Sequence, residues 1–306
     1  MTVRISTNSS YAVGSFDMDN LQSNIQHMQQ QMDTLQRVNT PSDDPVASTQ
    51  ILQLNQSSGR NSQFLNNTQG VNAQLTMVDQ ALGNTSTLLS NMKSLVVQAG
   101  NGAIDSQQLK MMQQQVNQNF TELIGYGNAT DGRGDYLFGG NRVRTPPFVA
   151  DSAMTTSYTG DTGQRVVQIT DSRSLPVTQV GSLVFGNGSS PTALFDAVQQ
   201  FSQLLGQDPK PADYPTQLST IMNSLDDAQN QILTSQAAVG AAEQENNNTQ
   251  ESNQGLGVQY QTAVNHLQSL DLPKAISDFT MAQTSLQYSQ LTYSKVTKLS
   301  LFDYIQ

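Results

Sequence analysis

The chain has 306 residues, only 12% of them charged, and a net charge of −10, a balance that argues against nucleic acid or an anionic membrane surface as partner. It has no cysteine, which excludes disulfides, thiol chemistry and Cys-based metal sites. No apolar run reaches the ~18 residues of a membrane span, and Met1–Asn8 lacks the basic and apolar regions of a Sec-type signal.

The charge is unevenly placed. Residues 1–40 set Arg4 and Arg37 against Asp17, Asp19 and Asp33, and residues 274–306 set Lys274, Lys295 and Lys298 against Asp278 and Asp303. Both ends are therefore near neutral, and the acidity sits in the middle. Gln, Asn, Ser and Thr fill the polar faces, a surface suited to packing against identical copies without charge repulsion.

Residues 1–14 are polar, with Gly14 as a breaker, and a helix is expected over 15–38. Its apolar stripe, Leu21, Ile25, Met28, Met32 and Leu35, alternates steps of four and three, the seam of a coiled coil. Asn39-Thr40-Pro41-Ser42-Asp43-Asp44-Pro45 then interrupts the helix. Asp44 is a good N-cap and Pro45 suits the first helical position, so a second helix starts there. Its stripe is most regular at Leu75, Val78, Leu82, Thr85, Leu89, Met92 and Val96, and it runs unbroken for ~75–80 Å to Asn101-Gly102. A third helix is expected from Asp105 to Ala129.

Helical periodicity stops at Asp131-Gly132-Arg133-Gly134-Asp135-Tyr136-Leu137-Phe138-Gly139-Gly140. Strands are expected at Thr156–Tyr158, Arg165–Ile169, Pro176–Val180 and Leu183–Phe185, making a small β domain. Helices resume at Ser190-Pro191-Thr192 and run to Leu205. After a Pro-rich link, a heptad stripe starts at Ile221, fades through Asn246, Thr249 and Asn253, and recovers in phase at Leu256, which predicts one long helix. Asp271-Leu272-Pro273 breaks it. A last helix over 273–301 carries Phe279, Ala282, Leu286, Ser289, Tyr293 and Val296 at the same alternating spacing.

The fold class expected is mainly α: a long antiparallel helical bundle or coiled coil built from both chain ends, with a small inserted β domain. Residues 1–44 and 272–306 form a terminal coiled-coil polymerisation domain, 45–140 and 191–271 a helical-bundle domain, and 141–190 the inserted β domain. The expected assembly interface is Leu21, Ile25, Met28, Met32, Leu35, Phe279, Ala282, Leu286, Tyr293 and Val296. Pro41, Asp43, Asp44, Pro45, Asp271 and Pro273 form two mirrored breaks that should lie side by side as a hinge.

No catalytic constellation is present, and no cofactor or metal is expected. His27 and His266 lie on or beside helical stripes, far apart in sequence, and read as structural. Adjacent acids such as Asp43 and Asp44 read as capping groups. Arg133-Gly134-Asp135 matches the tripeptide of integrin ligands, and Gly139-Gly140 lacks the Lys-Ser/Thr of a phosphate loop.

Met1-Thr2-Val3-Arg4-Ile5-Ser6-Thr7-Asn8, Arg37–Pro45, Gly134–Gly140 and Asp271–Asp278, in this order and at these distances from the ends, resemble the flagellin-like hook-associated proteins. The resemblance covers the helical parts, about three-quarters of the chain; the central β region is similar only in kind. The family commonly begins Met-Arg-Ile-Ser-Thr, where Thr2-Val3 intervenes here. Flagellin itself usually ends in a Leu-Leu-Arg-like tail, unlike Leu299-Ser300-Leu301-Phe302-Asp303-Tyr304-Ile305-Gln306. The resemblance implies a secreted structural subunit of the flagellum, exported unfolded through a type III apparatus. It would join the hook-associated zone to the filament, with further copies of itself, the preceding hook-associated protein and flagellin as partners. It also implies a cytoplasmic export chaperone on the C-terminal segment. A flagellin-like filament subunit, or a secreted adhesin using the β domain, is the alternative.

Overall fold

Heptad patterning at both ends, and along two long central segments, folds as helices. In the computed structural model, which describes residues 7–302, the elements are α1 (Thr7–Thr34), α2 (Pro45–Ala99), α3 (Ser106–Gly127), β1 (Phe148–Ala150), β2 (Thr156–Tyr158), β3 (Val166–Gln168), β4 (Ser174–Pro176), α4 (Gly181–Val184), α5 (Ala193–Leu205), α6 (Tyr214–Gln268) and α7 (Leu272–Phe302). The opening Met1–Ser6 and the tail Asp303–Gln306 lie outside the described residues. The mainly α class is as expected, with two small antiparallel sheets the only strand pairing of any length among the described residues.

The chain divides into two units, one of residues 1–60 and 256–306 and one of residues 61–255. In the first, α1 packs along α7. A small cluster of Val38, Ala47, Ile51 and Val264, with Leu54 and Leu267 against it, joins the start of α2 to the end of α6. In the second, the remaining turns of α2 and α6 pack antiparallel over an apolar interface of Leu75, Leu82, Leu89, Leu225, Ile232 and Val239, all at most 1% exposed. Hydrogen bonds flank it: Gln229 Nε2 donates to Ser86 Oγ at 2.6 Å and Gln236 Nε2 to Asp79 Oδ1 at 3.2 Å.

α3 is closed at its N-terminus by a capping box, in which Asp105 accepts from Gln108 N while Gln108 Oε1 accepts from Asp105 N. α5 packs on α3, with Phe120 and Phe195 edge to face at 6.3 Å. Phe148 of β1 stands 4.7 Å from Phe195, 5.2 Å from Phe185 and 5.2 Å from Tyr158 between ring centroids, so aromatic packing anchors the β segment to the helices. β1 pairs with β2 with Phe148 opposite Tyr158, and β3 with β4 with Val167 opposite Leu175.

Several boundaries differ from the sequence expectation, each for a physical reason. α1 begins at Thr7 and runs through Gly14. The glycine does not break the helix; a Cβ there would meet the Tyr293 ring at 3.1 Å, so it permits close approach of α7. The helix ends at Thr34, not Val38. Leu35 is left-handed at φ 55°, with Gln36 N donating to Gln31 O and Leu35 N to Met32 O, the bond pair of a Schellman ending. The expected strand Pro176–Val180 is displaced, because Ser174–Pro176 pairs with β3 while Val180 bridges Gly139. The expected strand Leu183–Phe185 falls on the end of α4, where buried Gly181, Val184 and Phe185 follow helical steps of three and four rather than alternation. Phe148–Ala150 is a strand that Pro146-Pro147 obscured.

Candidate assembly surface and the paired break

The side of α1 that meets α7 is its heptad stripe. Leu21, Ile25, Met28 and Met32 are half-buried, and so are Phe279, Ala282, Leu286 and Tyr293 on the facing helix. Tyr11 and Tyr293 meet edge to face at 6.1 Å. Eight of the ten stripe residues are thus half-buried on these two packed helices; Leu35, past the helix end, is 59% exposed and Val296 46%. No described residue of α1 or α7 is fully buried. A second face of α7 carries Met281, Tyr288 and Leu291, each more than half exposed, and α1 exposes Val13 and Phe16 likewise. Solvated apolar surface on both helices marks an interaction region.

The two sequence breaks meet. Gln36 bridges Ser269 antiparallel, Arg37 N donates to Gln268 O at 2.7 Å, and Leu270 N donates to Leu35 O at 3.3 Å. The Arg37 guanidinium adds two tethers, to Leu267 O at 3.1 Å and to Asp44 Oδ2 at 3.0 Å. Within the first break, Asp43 accepts from Asn39 N at 2.9 Å, Thr40 N at 2.8 Å and Thr40 Oγ1 at 2.9 Å, and its Oδ1 lies 2.8 Å from His27 Nε2 on α1. The Thr40 amide, the strongest of these influences, together with the Thr40 hydroxyl, Asn39 and His27, holds the Asp43 carboxyl well below the usual carboxylate range against a smaller opposing effect of burial. Asp44 caps α2 by accepting from Ala47 N at 2.9 Å, with Pro45 in the first helical position; this bond and Arg37 lower its carboxyl pKa too. Asp271 caps α7 by accepting from Lys274 N at 3.2 Å. Pro41 and Pro273 lie at the two breaks, both exposed.

Sequence reasoning missed Arg37, Gln36 and Ser269, which make the joint, and treated His27 only as structural. Arg37 could have been found as the cation six and seven residues before Asp43 and Asp44, in a segment otherwise free of positive charge. His266 lies on α6 with an exposed side chain, far in sequence from His27.

The Arg133-Gly134-Asp135 tripeptide is a folded turn. Asp131 accepts from Arg133 N, Asp135 N, Gln74 Nε2 and the Arg133 guanidinium. Burial pushes its carboxyl up, but the Asp135 and Arg133 amides outweigh that and leave it at about 2. The Asp135 carboxylate is held by Arg165 at 3.2 Å and Arg144 at 3.6 Å, with 14% of its side chain exposed. A carboxylate already engaged by two guanidinium groups is poorly placed to ligate a receptor. Among the described residues no group of three or more His, Asp or Glu is arranged to hold a metal ion, and no helix is long and apolar enough to cross a membrane.

Residues 5–142 match the bacterial flagellin N-terminal helical region. The chain is 27% identical to flagellar hook-associated protein 3 of Escherichia coli K12, over 98% of this chain and 99% of that one. It is 25% identical to the protein of the same name from Salmonella typhimurium LT2, over 98% and 99%. Among solved structures, flagellar hook-associated protein 3 of Legionella pneumophila superposes with a TM-score of 0.65 at 16% identity, covering 71% of this chain and 98% of that one. The flagellar junction protein FlgL from the same organism gives 0.59 at 18% identity, covering 72% and 100%. These two share the fold. The chain, whose helical ends pair as a solvated coiled coil, is thus similar along nearly its whole length to flagellar hook-associated proteins, which are structural proteins of the flagellum and not enzymes.

Proposed function

We propose that the chain is the adaptor between the hook-associated zone and the flagellin filament, and that it assembles with copies of itself through α1 and α7. The half-burial of the terminal stripes carries this reading. Fully burying a Leu, Ile, Met or Phe contributes about 1.5–3 kcal/mol, so completing the burial of the eight half-exposed stripe residues releases roughly 8 kcal/mol. Docking a single partner costs about 4–15 kcal/mol in lost freedom. One neighbour would about break even. Several neighbours around each helix pair, also covering Met281, Tyr288 and Leu291, give a net driving force, which favours a closed or helical array over a simple dimer. Residues 1–44 and 272–306 are then the polymerisation domain, 45–140 with 191–271 the helical-bundle domain, and 141–190 the inserted β domain. The break residues Pro41, Asp43, Asp44, Pro45, Asp271 and Pro273 serve as the hinge.

Under this reading the preceding hook-associated protein lies below the assembled copies and flagellin above, and the chain leaves the cell by the flagellar type III route after a cytoplasmic chaperone releases its C-terminal segment. Deleting the gene tests the role. Cells lacking the adaptor should make hooks yet release flagellin into the medium, and the wild-type gene should restore filaments while Leu286→Asp should not. Filaments that stay attached without the chain would refute it. A filament-subunit role is separated by the same experiment, since that loss would leave no flagellin-like monomer in the medium.

A further inference from the structure

Stepping by seven along α2, positions Val96, Leu89, Leu82 and Leu75 are buried and apolar, and the answering positions of α6, Leu218, Leu225, Ile232 and Val239, are the same. The next two steps are not. They bring Thr68 to Asn246 and Asn61 to Asn253, all four at most 5% exposed. Asn246 Nδ2 donates to Thr68 O at 2.9 Å and Asn61 Nδ2 to Asn253 O at 2.7 Å. Asn253 Nδ2 donates to Ile169 O at 3.1 Å, just past β3, whose Gln168 O accepts from Asn67 Nδ2 at 2.7 Å. Asn246 Oδ1 has no hydrogen-bond partner among the described residues. Apolar residues would fill these positions without leaving a buried amide half satisfied, so the polar pair sacrifices stability.

We propose that Asn61, Thr68, Asn246 and Asn253 are a register lock that selects one alignment of α2 against α6. An antiparallel heptad interface is degenerate: sliding one helix by seven residues, about 10 Å, sets apolar against apolar again. Two consecutive polar positions remove that degeneracy. A slide one way places Asn246 against Leu75, and a slide the other way places Thr68 against Val239, each burying an unmatched polar group. Asn253 extends the lock to the β3–β4 hairpin through Ile169, fixing where that hairpin seats on the helices.

The absence of native cysteine makes the alignment directly measurable in the full chain. Ser86→Cys with Gln229→Cys reports the native alignment, since these two positions face each other across the interface, with Gln229 Nε2 donating to Ser86 Oγ at 2.6 Å. Ser86→Cys with Gln236→Cys, and Asp79→Cys with Gln229→Cys, report the two slipped ones. In the wild-type background only the native pair should oxidise to a disulfide. In a Asn61→Leu, Thr68→Val, Asn246→Leu, Asn253→Leu background, slipped disulfide should rise by about tenfold or more, an energy change of about 1.4 kcal/mol. A second background, Thr68→Val with Asn246→Leu, leaves the Ile169 contact intact and should show a smaller rise. Folded variants that still trap only the native pair would overturn the proposal. So would loss of helical circular dichroism in both backgrounds, which would mean that the polar groups hold the helices together rather than choose their alignment.

Discussion

Gln36 and Ser269, 233 positions apart in the chain, face each other in an antiparallel bridge, and their neighbours Arg37 and Gln268 close it with a 2.7 Å hydrogen bond. Two interrupted helices are thereby tied at their interruptions. The backbone groups freed where α1 and α6 end satisfy one another, which removes the usual cost of orphaned helix termini.

Arg37 should dominate the strength of this tie. Its guanidinium bonds one backbone carbonyl from the second break and one carboxylate from the first. Arg37→Ala should weaken the joint by about 1–2 kcal/mol, since two bonds to a charged group are lost at a partly solvated site. Hydrogen exchange of the backbone amides of residue 37 and Leu270 should quicken by roughly tenfold, with exchange in α3 and α5 unchanged.

Asp43 makes the joint acid-sensitive. Its carboxyl is held below its ordinary value by the Thr40 and Asn39 amides, the Thr40 hydroxyl and His27. A group whose folded pKa is depressed stabilises the fold above its unfolded pKa, about 3.9, and loses that contribution as pH falls through the folded value. The stability difference between wild type and Asp43→Asn, measured by urea unfolding, should therefore be largest at neutral pH and shrink below about pH 4. A difference independent of pH would show that the carboxylate charge is not what holds the turn.

Leu35 carries strain that glycine would relieve. It occupies the left-handed position of a Schellman ending, where a side chain costs about 1–2 kcal/mol, and it is mostly exposed. Leu35→Gly should raise the stability of the monomer by about 1 kcal/mol, because Leu270 still finds the same backbone carbonyl. If Leu35 also belongs to the assembly interface, the same change should reduce assembly while stabilising the monomer, and sedimentation alongside thermal unfolding separates the two.

Ile25→Asp and Leu286→Asp place a charge on the α1–α7 seam. The effect in the monomer should be small, on the order of 1 kcal/mol, since solvent reaches these half-buried positions. Assembly, where the seam is covered, should lose several kcal/mol and fail in a filament-attachment assay. A variant that assembles normally would place the seam on the outside of the array.

What could be read from the sequence follows the range of the interactions involved. Helix stripes and caps are local, so α2, α3, α5 and α7 begin and end within a few residues of expectation, and Asp44 with Pro45 marks the start of α2 as expected. The persistence of phase through Asn246 and Asn253 correctly indicated one helix, but not that these asparagines are buried against α2. Gly14 misled because its reason, the Tyr293 ring, lies in a distant segment. The contact between His27 and Asp43 depends on how tightly the intervening turn folds, which composition does not record. The small strands were hardest: Thr156–Tyr158 matched and Arg165–Ile169 contains β3, while the other two expected strands failed, since two-stranded pairs here are fixed by aromatic packing on helices more than by alternation.

Hydrogen–deuterium exchange across residues 279–293, in purified monomer and in assembled flagellar ends, tests the assembly account. The half-buried stripe predicts fast exchange in the monomer and strong protection after assembly, with residues 75–96 protected equally in both states. Protection of 279–293 that is already complete in the monomer, and unchanged by assembly, would contradict it.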